Sequence, residues 1–369
     1  MIILHVVESF STGTLQALRG LCWATEGAVT CHILHGSRNE GACARPEGFP
    51  RTVSFLPWPA VREIAPRSDY QAIRVLQETV ARLRPDRIHA HSSKAGALVR
   101  LAFPKGQVPL LYSPHGYSFL RRDVSSMARF FYWSIERLLG YVPHVTVACG
   151  IAEYARACLV SRRAVYIPNM MDLTVLDTAL LSSRRSSHRS SGGSGELWVG
   201  TAGGIRPQKN FPLFCAVAKA FEGSHVRFVW VGGGEIPTSV SVPNNLEVTG
   251  WLDHASTLSR LAACDVYMQT SLWEGLSLAV LEGMALGLPI LATPAPGNAE
   301  LVIDGHNGYL CQSVEDFVAR LAAFVETPSL PAQFGAASRR MIEQGFTIQQ
   351  VAPRWLSLYR DYARYSHHG

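Results

Sequence analysis

Apolar residues along this chain fall into short unbroken runs separated by stretches in which they recur at helical spacing. Runs of strand length lie at 2–7, 29–34, 53–56, 87–90 and 110–113, near Val145 and Val165, and at 197–202, 228–231, 265–269 and 290–293. Between them, Leu15, Leu18 and Leu21, the segment 70–83, and Leu278, Leu281, Ala285 and Leu286 mark one buried face of a helix each. Further helices are predicted around 258–263, 314–325 and 336–344. A last one over 348–365 carries Val351, Trp355, Leu358 and Tyr362. Strand alternating with helix predicts an α/β protein with parallel sheets. A length of 369 residues is too great for one ordinary core and predicts two domains.

The stretch 265–300 carries the densest chemistry. A strand is followed by Trp273, Glu274 and Gly275, and Ser277 is placed to cap the next helix. Gly287 stops that helix and Pro289 prevents its continuation. Ligands of parallel sheets bind beyond the carboxyl ends of the strands, where this loop lies. The amides of Gly275, Leu276 and Ser277 open a helix and suit a phosphate. Glu274 and Glu282, eight residues apart, suit sugar hydroxyls and a ribose, so the ligand expected is a sugar nucleotide. Upstream, the strand 197–202 runs into Gly203-Gly204-Ile205-Arg206-Pro207-Gln208-Lys209, two glycines followed by two cations. A second glycine turn, Gly232-Gly233-Gly234, follows the strand 228–231.

The first half offers His91-Ser92-Ser93-Lys94-Ala95-Gly96 at a helix start, where Ser92 or Ser93 is a cap. Lys94 there opposes the helix dipole. It either faces an anion or is a solvated lysine. Pro114-His115-Gly116-Tyr117 closes the strand 110–113. Residues 119–141 mix Phe130, Phe131, Tyr132, Trp133, Leu138 and Leu139 with Arg121, Arg122 and Arg129. That composition fits a helix lying on an anionic membrane, or aromatics belonging to a core.

The run E-G-L-S-L-A-V-L-E-G-M-A-L-G-L-P, 274–289, resembles the E-x7-E signature of retaining family-4 glycosyltransferases with the GT-B fold. The resemblance covers nearly the whole chain and is strongest from 199 to 310. It implies two doubly wound Rossmann-like domains facing a cleft: 1–172 on the acceptor side and 196–346 on the nucleotide-sugar side. Residues 173–195 form a linker or flexible insertion, and a terminal helix, 347–369, packs back on the first domain. It further implies that Arg206 and Lys209 bind the donor diphosphate. Gly13, Gly204, Gly233, Gly275, Leu276, Ser277, Leu278 and Glu282 line the donor site, and His115 and Glu274 act with the cations on the transferring sugar. H-S-S-K-A-G resembles a segment of bacterial polysaccharide glycosyltransferases, which puts His91 and Lys94 on the side of a lipid-linked or saccharide acceptor. A UDP- or GDP-linked sugar is then the co-substrate.

Composition adds boundaries. A net charge of +6 suits an anionic ligand or membrane surface. No basic stripe with interleaved aromatics points to nucleic acid. No Asp-x-Asp pair is present to hold a divalent ion, so no metal and no other cofactor is expected. The eight cysteines, Cys22, Cys31, Cys43, Cys149, Cys158, Cys215, Cys264 and Cys311, form no C-x-x-C pair and read as thiols of a reducing compartment. The opening MIILHVVESF reads as a core strand rather than a signal peptide, and no run is long enough to span a bilayer. The expected location is cytoplasmic, with attachment to the inner face of the membrane open. Two other functions share these features: an epimerase or hydrolase of GT-B shape, and a non-enzymatic sugar-binding protein.

Overall fold

The structure, a computed structural model, describes residues 1–8, 12–36, 48–61, 63–186 and 196–363. The chain divides into two compact units, one of residues 1–170 and 348–369, the other of residues 171–347.

In the first unit the strands are β1 (Ile2–Val7), β2 (Thr30–His35), β3 (Ser54–Pro57), β4 (Arg87–His91), β5 (Leu110–Ser113), β6 (Val145–Ala148) and β7 (Ala164–Tyr166). They form one parallel sheet in the order β3-β2-β1-β4-β5-β6-β7. The helices are α1 (Thr12–Ala24), α2 (Pro66–Leu83), α3 (Ser93–Ala102), α4 (Ser126–Leu139) and α5 (Ile151–Val160). One core packs Leu4, Val6, Leu76, Leu98 and Tyr112 together, the other Ile3, Val7, Leu18, Ile33 and Leu111. Central strands are buried on both faces, as unbroken apolar runs require.

The second unit opens with α6 (Leu173–Ser186). Its strands are β8 (Leu197–Ala202), β9 (Val226–Val231), β10 (Leu246–Val248), β11 (Val266–Gln269), β12 (Ile290–Ala292) and β13 (Gly308–Leu310). They form a parallel sheet in the order β10-β9-β8-β11-β12-β13. Its other helices are α7 (Phe211–Lys219), α8 (His254–Ala262), α9 (Leu278–Ala285), α10 (Pro296–Ala299), α11 (Val314–Glu326) and α12 (Leu330–Gly345). The last helix, α13 (Ile348–Arg360), returns to the first unit. There it buries Val351, Trp355, Leu358 and Tyr359 in the same core as Leu18 and Val147.

One expected boundary is corrected. Residues 173–186 are a helix and not a linker, and Leu176 of that helix is buried as α6 packs beside α8. The polar, serine-rich sequence that follows masked a short apolar face. Residues 187–195 and Cys43 lie outside the described residues. Of the described cysteines, all but the exposed Cys158 are buried free thiols.

Candidate active site

In the second unit the strand order reverses between β8 and β11. Ligands of doubly wound sheets bind at that switch point. The two loops leaving these strands are 203–210 after β8 and 270–277 after β11, and they are stitched together. Leu272 donates its amide to the Gln208 carbonyl at 2.8 Å, and Thr270 donates its hydroxyl to the Lys209 carbonyl at 2.8 Å. Gln208 donates its side-chain amide to the Trp273 carbonyl at 3.0 Å. At the centre, Lys209 Nζ lies 2.8 Å from Glu274 Oε1, and both side chains are largely buried. Gln269 Nε2 donates to the same oxygen at 3.1 Å, and Gln208 Nε2 to the other at 3.3 Å. The carboxylate is thus fixed from three directions before any ligand arrives.

Ser277 caps α9 as expected, its hydroxyl accepting from the Val280 amide. Gln269 donates to that hydroxyl as well, at 3.2 Å, so cap and carboxylate share one holder. Gly275 is clamped by α10, because a Cβ on Gly297 would overlap the Gly275 carbonyl oxygen. Only glycine at 297 lets the short helix press on the loop. Glu282 is buried on α9 and accepts from His254 Nε2 at 2.8 Å, with His254 standing in the first turn of α8. Gly204 and Gly233 lie under the half-exposed indole of Trp251. A Cβ on Gly233 would stand 2.6 Å from Trp251 Cδ1, and one on Gly204 would stand 2.9 Å from its Cη2.

In the first unit His115 sits at a positive φ of 50°, after β5. Glu153, buried at the start of α5, accepts from the Gly116 amide at 2.6 Å and the Cys149 amide at 2.8 Å, and so holds that turn from behind. His115 Nε2 lies 3.0 Å from His91 Nδ1, and the two rings stack at 13°. His91 is fully buried, and burial pushes its imidazole well below its ordinary value. Burial pushes His115 down to about 4. Both are therefore neutral at neutral pH.

The acceptor-side and glycine expectations take a different form. Ser92, not Ser93, caps α3, and it also donates to the buried Glu8 after β1. The anion that Lys94 meets is Asp69 of α2, 2.6 Å away, and its ammonium also donates to the Glu63 carbonyl at 2.9 Å. Lys94 thus ties α3 to α2 through an ion pair and a carbonyl contact. Gly13 lies in the first turn of α1 with nothing within 4 Å of its Cβ position. Among the described residues, two buried groups have ligand atoms close enough to share a metal ion, His5-Cys22-Cys31 and His5-His89-His91, and both lie in the first unit. The sequence reading missed Gln208, Gln269, His254, Trp251 and Glu153. Gln208, between the two cations, was the one with a local signal.

Residues 196–327 match the family described as Glycosyl transferases group 1, and residues 11–170 match the one described as Glycosyl transferase 4-like domain. The chain is 27% identical over 322 residues to a UDP-Gal:alpha-D-GlcNAc-diphosphoundecaprenol alpha-1,3-galactosyltransferase of Escherichia coli, covering 81% of each. Among solved structures it resembles sucrose-phosphate synthase from Thermosynechococcus elongatus, with a TM-score of 0.83 at 16% identity over 99% of both chains. It also resembles HepE of Anabaena in complex with UDP-glucose, with a TM-score of 0.75 at 16% identity over 99% of both.

Proposed function

The chain belongs to the GT-B glycosyltransferases, joining a glycosyl transferase 4-like domain to a group 1 domain in the manner of bacterial surface-polysaccharide enzymes, and on that premise we propose that it moves a hexose from a UDP-sugar to a lipid-linked saccharide with retention. The observation that carries this reading is the Lys209–Glu274 pair at the switch point of the second sheet. Lysine offers three N–H donors and commits one to Glu274. The ammonium can therefore serve a diphosphate oxygen without releasing the carboxylate. Arg206, three residues earlier, adds a planar guanidinium suited to bidentate phosphate contact.

In the proposed reaction the bond between the anomeric carbon and the diphosphate breaks as a bond to the acceptor hydroxyl forms on the same face. The hydroxyl proton passes to the departing phosphate. Arg206 and Lys209 stabilise the charge that grows on that phosphate, the effect that usually dominates such catalysis. Glu274 holds the transferring sugar, Glu282 holds the ribose, and His115 contributes a neutral imidazole to the sugar. The cations perform the neutralisation that a divalent ion provides elsewhere, so the reaction needs no metal. A UDP donor and an undecaprenyl-diphosphate acceptor are supported by the Escherichia coli relative, and the UDP-glucose complex of HepE supports the donor class.

The test is transfer from a panel of UDP- and GDP-sugars to GlcNAc-diphosphoundecaprenol, with EDTA or with magnesium. A lengthened lipid-linked product, formed equally well in EDTA, is expected. Free sugar released at full rate without acceptor would mark a hydrolase. Loss in EDTA restored by magnesium or manganese would overturn metal independence.

A further inference from the structure

The first β-α-β crossover of the first unit encloses three side chains of metal-binding type. His5 stands on β1, Cys22 on α1 and Cys31 on β2. β1 pairs with β2 so that His5 lies opposite Ile33, and Cys31, two residues before Ile33, faces the same side of the sheet. α1 packs on that side, since Leu18, Leu21 and Cys22 share one core with Cys31 and Ile33. A ring nitrogen of His5 and the sulfurs of Cys22 and Cys31 all lie within 4.8 Å of one another, and all three residues are buried. Both cysteines are free thiols. We propose that these three residues bind a thiophilic divalent ion, Zn(II), which staples β1, α1 and β2 together. The site stands apart from the transfer reaction proposed above and supplies no step of it.

The hydrogen bonds around the histidines select this trio. His5 Nδ1 faces His91 Nε2 at 3.0 Å, whereas His5 Nε2 is buried with no hydrogen-bond partner. A buried polar atom left bare costs free energy, and a metal ion on that lone pair removes the cost. In the other buried trio, His5, His89 and His91, the remaining nitrogens are committed. Those of His89 bond Tyr359 at 2.8 Å and Ser113 at 2.9 Å, and those of His91 face His5 and His115 at 3.0 Å each. A metal-bound histidine holds its second nitrogen against a neighbour that fixes the ring, and His91 is that neighbour for His5.

Charge also fits. Thiolates from Cys22 and Cys31 cancel the two charges of Zn(II), and a neutral His5 leaves no net charge in the interior, where one is costly. Binding releases the two thiol protons to solvent. Sulfur and imidazole select zinc over the hard ions magnesium and calcium, and zinc with three protein ligands completes its tetrahedron with a water. Because the ligands are buried, a chelator reaches the ion only when this unit opens, so EDTA in a transfer assay leaves it in place. Once removed, it is replaced by zinc and not by magnesium, which separates this site from any metal used in transfer.

Metal content and cobalt spectroscopy of the full-length protein test the site. Protein purified under reducing conditions from zinc-supplemented cells should retain stoichiometric zinc through gel filtration. Unfolded in guanidinium with a chelator and refolded with Co(II), it should show sulfur-to-cobalt charge-transfer absorption that added zinc abolishes. Zinc should raise the melting temperature of the metal-free protein, and magnesium should not. Cys22→Ala with Cys31→Ala should lose both the zinc and the absorption, whereas Cys158→Ala and Cys215→Ala should keep both. His91→Phe should weaken zinc binding by roughly 10–100-fold, the usual loss when a ligand histidine is deprived of its second partner. Wild type that carries no zinc and gives no cobalt–thiolate absorption would overturn the proposal. So would absorption that survives in the Cys22/Cys31 double variant, which would put the ion on other cysteines. If the double variant does not fold, Cys22→Ser alone decides by the same readouts. If the wild type does not refold, the zinc content as purified decides.

Discussion

Glu274 and Glu282 stand eight residues apart and have been given different neighbours. Glu274 is held by Lys209, Gln269 and Gln208, all near the cations that meet the diphosphate. Glu282 is buried one helix further in and paired with His254. A contact to the ribose is alike in ground and transition states, so Glu282→Ala should raise the donor KM with kcat little changed. Glu274→Ala should lower kcat while UDP still binds. Steady-state kinetics with UDP titration separates them, and identical effects would refute the division of roles. Both glutamates were legible in the sequence because their spacing, a capping serine and a stop glycine lie within one local stretch. Gln269 was read only as the end of a strand, and His254 and Trp251 carried no signal. Their roles come from contacts between segments far apart in the chain, which depend on β8 lying beside β11. Local periodicity reveals strands but not their order.

At the scale of the element, α4 shows how composition can be right while the face is unknown. Its one buried residue is Glu136, which accepts from Arg100 at 2.8 Å and from the Tyr112 hydroxyl at 2.8 Å. Removing one partner of such a buried pair typically costs about 3–5 kcal/mol, so the anchor is firm. The rest of the helix turns outward: Met127 is 82% exposed, Phe130 67% and Leu138 69%. An exposed apolar face of this kind marks an interaction surface. We propose that the surface is an anionic membrane. Arg122 and Arg129 lie exposed beside the aromatics, whereas Arg121 is ion-paired with Asp123 and contributes less. Attraction of about 1 kcal/mol per basic residue, screened by salt, predicts co-sedimentation with anionic liposomes at low salt and release at high salt. Equal binding to neutral liposomes would remove the electrostatic part of the proposal. No described helix is long and apolar enough to cross a membrane. The misread element, α6, failed for the opposite reason. Its buried Leu176 contributes a short apolar signal beside a long serine-rich one.

At the scale of the molecule, the alternation of strand and helix revealed two parallel-sheet units, and the return of the last helix to the first unit came with the family resemblance. The histidines of the first unit were not legible as a group, because two separate strands, a turn and a loop bring them inside. Burial holds His89 and His91 well below the ordinary imidazole value and His144 at about 3. In the unfolded chain each takes a proton near pH 6.5. Between the folded and unfolded values the unfolded state binds more protons. The contribution of these groups to stability is therefore complete above about pH 6.5 and is lost as pH falls. Each histidine removes about 1.4 kcal/mol per pH unit below that point. The melting temperature should fall steeply from pH 7 to pH 5, and His144→Gln should make the fall shallower. A melting temperature constant across that window would contradict the account.

The central claim is that Arg206 and Lys209 meet the charge on a departing diphosphate. Steady-state sugar transfer by folded Arg206→Ala and Lys209→Ala tests it most directly. Deleting one preorganised partner of a developing anion typically costs about 10²–10³ in kcat, because the contact is worth more in the transition state than before it. Each folded variant should lose kcat on that scale, and Lys209→Ala, which strips Glu274 of its ion pair, should also lower the melting temperature. Near wild-type kcat in both would contradict the placement of the diphosphate at the β8–β11 switch point.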